Sequence, residues 1–395
     1  MISPVADAPA EAGLTRIDVT RPWLGAEETA AMAEVIAAGW IAQGPRVAEF
    51  EREFAEAVHG VHAIATSSGA TALHLALVVA GVGRGDDVVV PSLGFIATAH
   101  AASHVGARVV FADVELATGC VTAATIARAL TPRTRAVIAV DQGGVPVDLA
   151  PIRALCDPRG IVVIEDAASG VGSTYRGEPL GAGAELATWS FRQGEILTTG
   201  EGGMLTTGRA DWAEHARILR QHGSALSDAE RETARIPPHE IHDEIGFGFR
   251  MTDLQAAIGL VQLGRLPAIV ARRRAAAARY RVALADVPGI RVVADPPYGQ
   301  SAFPSLWIEI GPPCPLNREE LLALLAERGI SARRGSVAAH RQPAYAFRDT
   351  GSASLAVTDR LADRTVILPL FHELTSADQD RVIAAVRDGA IGIRS

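Results

Sequence analysis

The sequence predicts an α/β fold: a large domain built on a mainly parallel sheet flanked by helices, plus a smaller C-terminal α+β domain. Three observations carry this. The 395 residues exceed one average core and suit a large domain with a smaller one attached. From about residue 60 to 210, short β-branched runs alternate with alanine-rich helical patterns, as crossovers between parallel strands require. After a long helical stretch, Val287-Pro288-Gly289 and Asp295-Pro296-Pro297 break the chain and open a second unit.

Taken in order, residues 1–20 read as an N-terminal arm, 21–264 as the large domain and 265–395 as the small one. Gly25–Ala38 and Arg46–Val58 read as two amphipathic helices around the turn Gly39–Pro45. The strands of the large domain are His62–Thr66, Asp87–Val90, Arg108–Ala112, Ala136–Val140 and Val162–Glu165, with helices Ala72–Val82 and Ile96–Ser103 between the early ones. The polar stretch 221–247, with Pro237-Pro238, reads as an irregular loop. A helix follows over Thr252–Leu284, expected to kink or break near Pro267, and its Arg272-Arg273-Arg274 run reads as a solvated face.

A net charge of -8 argues against nucleic acid or an anionic membrane as partner. No apolar run reads as long enough to span a bilayer, and the N-terminus lacks the pattern of a secretory signal. Cys120, Cys156 and Cys314 fit a reducing cytoplasm, and their spacing matches neither a disulfide framework nor a metal site. One count bears directly on chemistry: all 37 basic residues are arginine and none is lysine. Any mechanism that needs an ε-amino group is excluded.

Thr66-Ser67-Ser68-Gly69-Ala70-Thr71 follows a strand and begins a helix. Such a turn exposes unpaired N–H groups at the positive end of a helix and can seat a phosphate, although a Ser-Gly start equally serves capping. Asp166 ends a strand, where α/β ligands bind and where a carboxylate can hold a proton on a pyridine nitrogen, or simply cap the next turn. Phe95 offers a ring for stacking, or a core side chain.

The fixed order of these pieces, continued by Ser190-Phe191 and Thr198-Thr199-Gly200-Glu201-Gly202-Gly203, resembles the DegT/StrS family of fold-type-I pyridoxal-phosphate (PLP) sugar aminotransferases. The similarity covers nearly the whole chain. It includes Gly39-Trp40-Ile41-Ala42-Gln43-Gly44-Pro45, Ile164-Glu165-Asp166-Ala167-Ala168, Arg250-Met251-Thr252-Asp253-Leu254-Gln255 and His340-Arg341-Gln342-Pro343. The resemblance implies that Gly69, Ala70 and Ser190 hold the cofactor phosphate, Phe95 stacks on the ring and Asp166 pairs with its nitrogen, with Ser169 close by. It further implies a cytoplasmic homodimer acting on a small-molecule substrate such as a nucleotide-linked sugar. Arg192, His340 and Arg341 are the candidates for lining the substrate site, where Arg341 faces a nucleotide phosphate or solvent.

The departures define the chemistry. Glu195 stands where the family places its Schiff-base lysine; Gly248 replaces a common asparagine, Ser169 a Gln or His, and Asp141-Gln142 a histidine-containing pair. A carboxylate cannot take the amine's covalent role, but it can transfer protons if burial raises its pKa. Beside a phosphate and Asp166, Glu195 is expected to be protonated or paired with an arginine such as Arg192. Three readings follow. The chain binds PLP or its amine form, pyridoxamine phosphate (PMP), non-covalently and carries out dehydration or modified transamination of a keto-sugar-like substrate with Glu195 as acid/base. It uses the pocket without any cofactor, again through Glu195. Or it is a non-catalytic partner subunit; an engineered lysine-to-glutamate form is the remaining origin for such a sequence.

Overall fold

The computed structural model describes residues 16–225, 239, 241–351 and 354–393. Residues 1–15 of the expected arm and most of the tip of the 221–247 loop lie outside them. The large sheet has seven strands: β1 (His62–Thr66), β2 (Asp87–Pro91), β4 (Arg108–Ala112), β5 (Thr134–Val140), β6 (Val162–Asp166), β9 (Leu186–Ser190) and β10 (Gly203–Thr207). Their order is β1-β10-β9-β6-β5-β2-β4, and β10 alone pairs antiparallel to its neighbours. The predicted parallel sheet is thus present, with one antiparallel strand inserted beside an edge. Val88, Val89 and Val90 are wholly buried, as expected of a strand covered on both faces.

Among the described residues eleven α-helices flank the strands. α1 (Ala26–Ala38), α2 (Pro45–Ala57) and α3 (Gly69–Val79) precede α4 (Ala97–His104), α5 (Ala123–Ala129), α6 (Leu149–Cys156) and α7 (Ala210–Arg220). One core cluster joins α3, α4 and α7 to the sheet through Leu75, Leu77, Ala102 and Leu219. Phe50 and Phe54 of α2 pack on Trp189 and Phe191, forming an aromatic layer with ring centroids 5.3 to 5.9 Å apart.

Small pairings complete the large unit: β7 (Thr174–Tyr175) and β8 (Glu178–Pro179) join β12 (Gly299–Gln300). The C-terminal sheet contains β11 (Ile290–Val292), β13 (Leu306–Ile310), β14 (Arg333–Arg334) and β16 (Thr365–Leu368), all antiparallel. Helices α9 (Arg318–Glu327), α10 (Ala356–Arg364) and α11 (Ser376–Ala390) cover it. Residues 16–20 do not extend away from the chain here. Ile17 bridges Ile330, and the Val19 carbonyl accepts from Leu370 N at 3.0 Å. The two-stranded pairing of β3 (Leu93–Gly94) with β15 (Val337–Ala338) ties the large unit to the small one.

Helix α8 (Asp253–Ala283) corrects three expectations. It runs unbroken through Pro267. That residue is exposed, so water can satisfy the carbonyl that the missing N–H leaves free. By length and composition α8 is also apolar enough to cross a bilayer, contrary to the sequence reading. Here it lies along α1 and α2 and buries the polar side chains of Asp253, Gln262 and Arg273. Nor is the arginine run wholly solvated. Arg273 is 2% exposed and donates to the carbonyls of Phe303, Pro304 and Leu370 at 3.1 to 3.2 Å. Burial lowers its pKa to about 10. A guanidinium with several donors satisfies carbonyls from two chain segments at once, which is why one member of a charged run turns inward.

Candidate functional site

The predicted site residues sit where the strands end. Ser68 caps α3, accepting from Thr71 N at 3.2 Å, while the Thr71 hydroxyl lies 3.0 Å from Ser68 N in return. The next two amides, those of Gly69 and Ala70, have no intrahelical carbonyl to pair with. Close approach fixes the glycine here: a Cβ on Gly69 would lie 2.8 Å from Ser190 Cβ. One on Gly203 would lie 2.3 Å from the Ser68 carbonyl carbon. The α3 N-terminus is therefore wedged against the ends of β9 and β10, with Ser190 beside it.

Asp166 closes β6 and is 6% exposed. Thr98 of α4 donates to its Oδ2 at 2.9 Å, and Ala168 N donates to Oδ1 at 3.2 Å. Burial raises its pKa, against which these two donors work. Phe95, between β3 and α4, is 70% exposed, so it is no core residue.

Glu195 lies in the loop joining β9 to β10. The loop backbone is pinned. Phe191 N donates to Gly202 O, Thr199 N to Phe191 O and Gln193 N to Gly200 O, each at 2.9 Å. Phe191 and Leu197 anchor it in the core. Glu195 itself is 6% exposed, and the expected Arg192 partner is present, with Nε 3.1 Å from Oε1. The Arg192 guanidinium also lies 5.8 Å from the Phe95 ring centroid. Burial raises the Glu195 pKa; Arg192 and the Ser169 hydroxyl pull it down, and Asp166 pushes it up.

His340 and Arg341 reach this region through the β3–β15 pairing, yet both are engaged within the chain. His340 Nδ1 is 2.7 Å from Ser92 Oγ and its Nε2 is 3.4 Å from Asp359. Arg341 pairs with Asp363 at 2.9 Å and Asp359 at 3.4 Å. At Gly248 a Cβ would meet the His222 ring at 3.1 Å. Among the described residues no group of three or more His, Cys, Asp or Glu side chains is placed to hold a metal ion.

A feature the sequence reading missed lies directly behind Asp166. Asp141 and Glu165, on adjacent strand ends, are both buried and meet side chain to side chain. Asp141 Oδ1 accepts from Val147 N at 2.8 Å and Glu165 Oε2 from Gly181 N at 2.9 Å. Among the described residues the other oxygen of each has no donor besides the neighbouring carboxyl. Two carboxyls in such a site share a proton. Burial pushes Glu165 up to about 7 and Asp141 well above the ordinary carboxylate range. Folded pKa values raised above the unfolded ones give stability that is full at acid pH and lost as pH rises through the folded pKa. Thermal melts between pH 5.5 and 8 are therefore expected to show a falling midpoint, with Asp141→Asn flattening the slope. Parallel slopes in the two proteins would remove the pair as its cause. Asp141 was legible as a departure; its partnership across strands was not.

The sequence matches the family described as the DegT/DnrJ/EryC1/StrS aminotransferase family over residues 22–387. Among solved structures, the aminotransferase TlmJ from Streptoalloteichus hindustanus is 36% identical with a TM-score of 0.87, covering 96% of this chain and 100% of that one. DesV from S. venezuelae, solved in complex with a ketimine intermediate, is 33% identical with a TM-score of 0.88, covering 95% and 99%. The sugar aminotransferase CalS13 from Micromonospora echinospora is 29% identical with a TM-score of 0.85, covering 94% and 100%.

Proposed function

The chain belongs to the DegT/DnrJ/EryC1/StrS aminotransferase family, and from that premise we propose an enzyme that binds PLP or PMP without a covalent bond and uses Glu195 as its acid/base. The observation that carries this reading is the buried Glu195 at the head of an otherwise retained pocket, beside Ser169 and Asp166. The proposed substrate is a keto-sugar-like small molecule, free or nucleotide-linked. The proposed reaction is dehydration or modified transamination in secondary-metabolite or sugar biosynthesis. A cytoplasmic homodimer is the assembly in this reading.

The residues present fit the cofactor at both ends. Gly69 and Ala70 carry orphan N–H groups that suit a phosphate, and Ser190 adds a hydroxyl. Asp166 already accepts two hydrogen bonds and retains lone pairs for a pyridinium N–H. When bound, PMP supplies an amino group and an electron-withdrawing ring. The chain supplies the rest. Phe95 gives the ring a flat neighbour, Asp166 keeps the ring nitrogen protonated, and Glu195 moves a proton through a carboxyl oxygen oriented by Ser169. Arg192, His340 and Arg341 line the substrate side, the last two after exchanging their present acidic partners.

Titration of the purified chain with PLP and PMP, followed by absorption, tests the reading. Saturable binding is expected, and Asp166→Ala should weaken it about 10- to 100-fold, the worth of one hydrogen bond to a charged group. No saturable binding of either compound by the intact chain rejects the cofactor reading and leaves the cofactor-free enzyme and the non-catalytic subunit.

A further inference from the structure

Arg192 touches two things at once. Its Nε is 3.1 Å from Glu195 Oε1, and its guanidinium stands 5.8 Å from the Phe95 ring centroid. The guanidinium thus stands over one face of the Phe95 ring while its Nε holds Glu195. A planar ring stacked on that face needs the same space. The loop backbone cannot yield, because Phe191, Gln193 and Thr199 hold it by hydrogen bonds and Leu197 by burial. The Arg192 side chain can, being 51% exposed.

We propose that Arg192 is the gate of the ring slot: a flat ligand stacking on Phe95 displaces its guanidinium from Glu195, and Glu195 then takes up a proton from solvent. This rests on the cofactor reading above. The groups that act on Glu195 after displacement are the Ser169 hydroxyl from the segment after β6, the Asp166 carboxylate from β6 and the more distant Arg273 from α8. Among the described residues Arg192 is the ion-pair partner of Glu195, at 3.1 Å. With it gone, a carboxylate remains in a buried site next to another carboxylate, where the neutral acid is favoured. The balance is simple: one proton from solvent adds to one Glu195 oxygen, and the guanidinium moves into water with its charge unchanged. Ligand entry and arming of the acid thus become one event, which gives a positioning role to a residue that need not touch the reacting atoms.

Calorimetric titration of the intact chain with PMP near neutral pH, in two buffers of different ionisation heat, counts the protons taken up. Wild type is expected to gain up to about one proton per chain more than Glu195→Gln, which corrects for protons exchanged by PMP itself. Arg192→Gln should bind on the order of 10-fold more tightly, since the slot is no longer self-occupied. It should also take up fewer protons than wild type, because its Glu195 is already neutral. Weaker binding by Arg192→Gln, or equal proton counts in wild type and Glu195→Gln, overturns the gate while leaving the cofactor reading intact. Absence of binding by all three proteins overturns the cofactor reading and the gate with it.

Discussion

Glu195→Lys is expected to convert a chain that never holds PLP covalently into one that does so stoichiometrically. Wild type has no ε-amine anywhere, so borohydride treatment with PLP should leave the described pocket unlabelled. The variant places a single amine in a pinned loop, within the field of Asp166. Its environment sets its reactivity. Burial, Arg192 and Arg273 act against an ammonium ion, and Asp166 acts for it; where the first three prevail the amine's pKa falls and the fraction of free nucleophile near neutrality rises. The fold should tolerate the change, because Glu195 contributes one ion pair to a half-exposed arginine and little to the core. Intact-protein mass after reduction gives the readout, with the labelled peptide mapping to residue 195. A variant that stays folded and unlabelled would show that the phosphate seat or the ring slot has been lost as well.

Asp253→Ala is expected to cost about 2–4 kcal/mol of stability, the range for a lost helix cap together with N–H groups left without their charged acceptor. Helix α2 begins at Pro45 after Gly44, which has no side chain with which to cap it. The cap comes from far away. Asp253 Oδ1 accepts from Gly44 N at 2.8 Å and Val47 N at 3.0 Å, and Oδ2 accepts from Arg46 N at 3.1 Å. Gly44 cannot carry a cap of its own, since a Cβ there would lie 2.1 Å from the Trp40 indole nitrogen. Removing the carboxylate leaves three N–H groups without an acceptor and an uncompensated positive helix end. Urea unfolding compares the proteins, with Asp253→Asn expected to fall between them. A loss below about 1 kcal/mol would mean that water replaces the cap.

What could be read from the sequence was whatever depends on local pattern. His62–Thr66 and Arg108–Ala112 were read to the residue because a strand buried on both faces is a continuous apolar run between turn residues. The position of Glu195 was legible because flanking residues with strong backbone roles, Ser190 before it and the glycines after it, mark the loop. The antiparallel insertion of β10 was not, since alternation within a strand says nothing about which neighbours it takes. Asp253 serving α2 from more than 200 residues away was hidden for the same reason, as was the meeting of Asp141 with Glu165. Arg273 shows the opposite failure. A run of charges is read as a surface, and only tertiary packing reveals that one of the three has found enough carbonyls to be buried.

The short β3–β15 pairing has a mechanical meaning. Leu93 and Gly94 bond to Ala338 and Val337, and Ala339 N donates to Ser92 O at 2.7 Å, so a stitch three residues long ends one position before Phe95. A displacement of residues 337–339 would be passed to the backbone that carries the Phe95 ring. A substrate seated against residues 337–341 would therefore pull on the platform beneath the ligand, and amide exchange at Leu93 and Gly94 would register that load from outside the pocket.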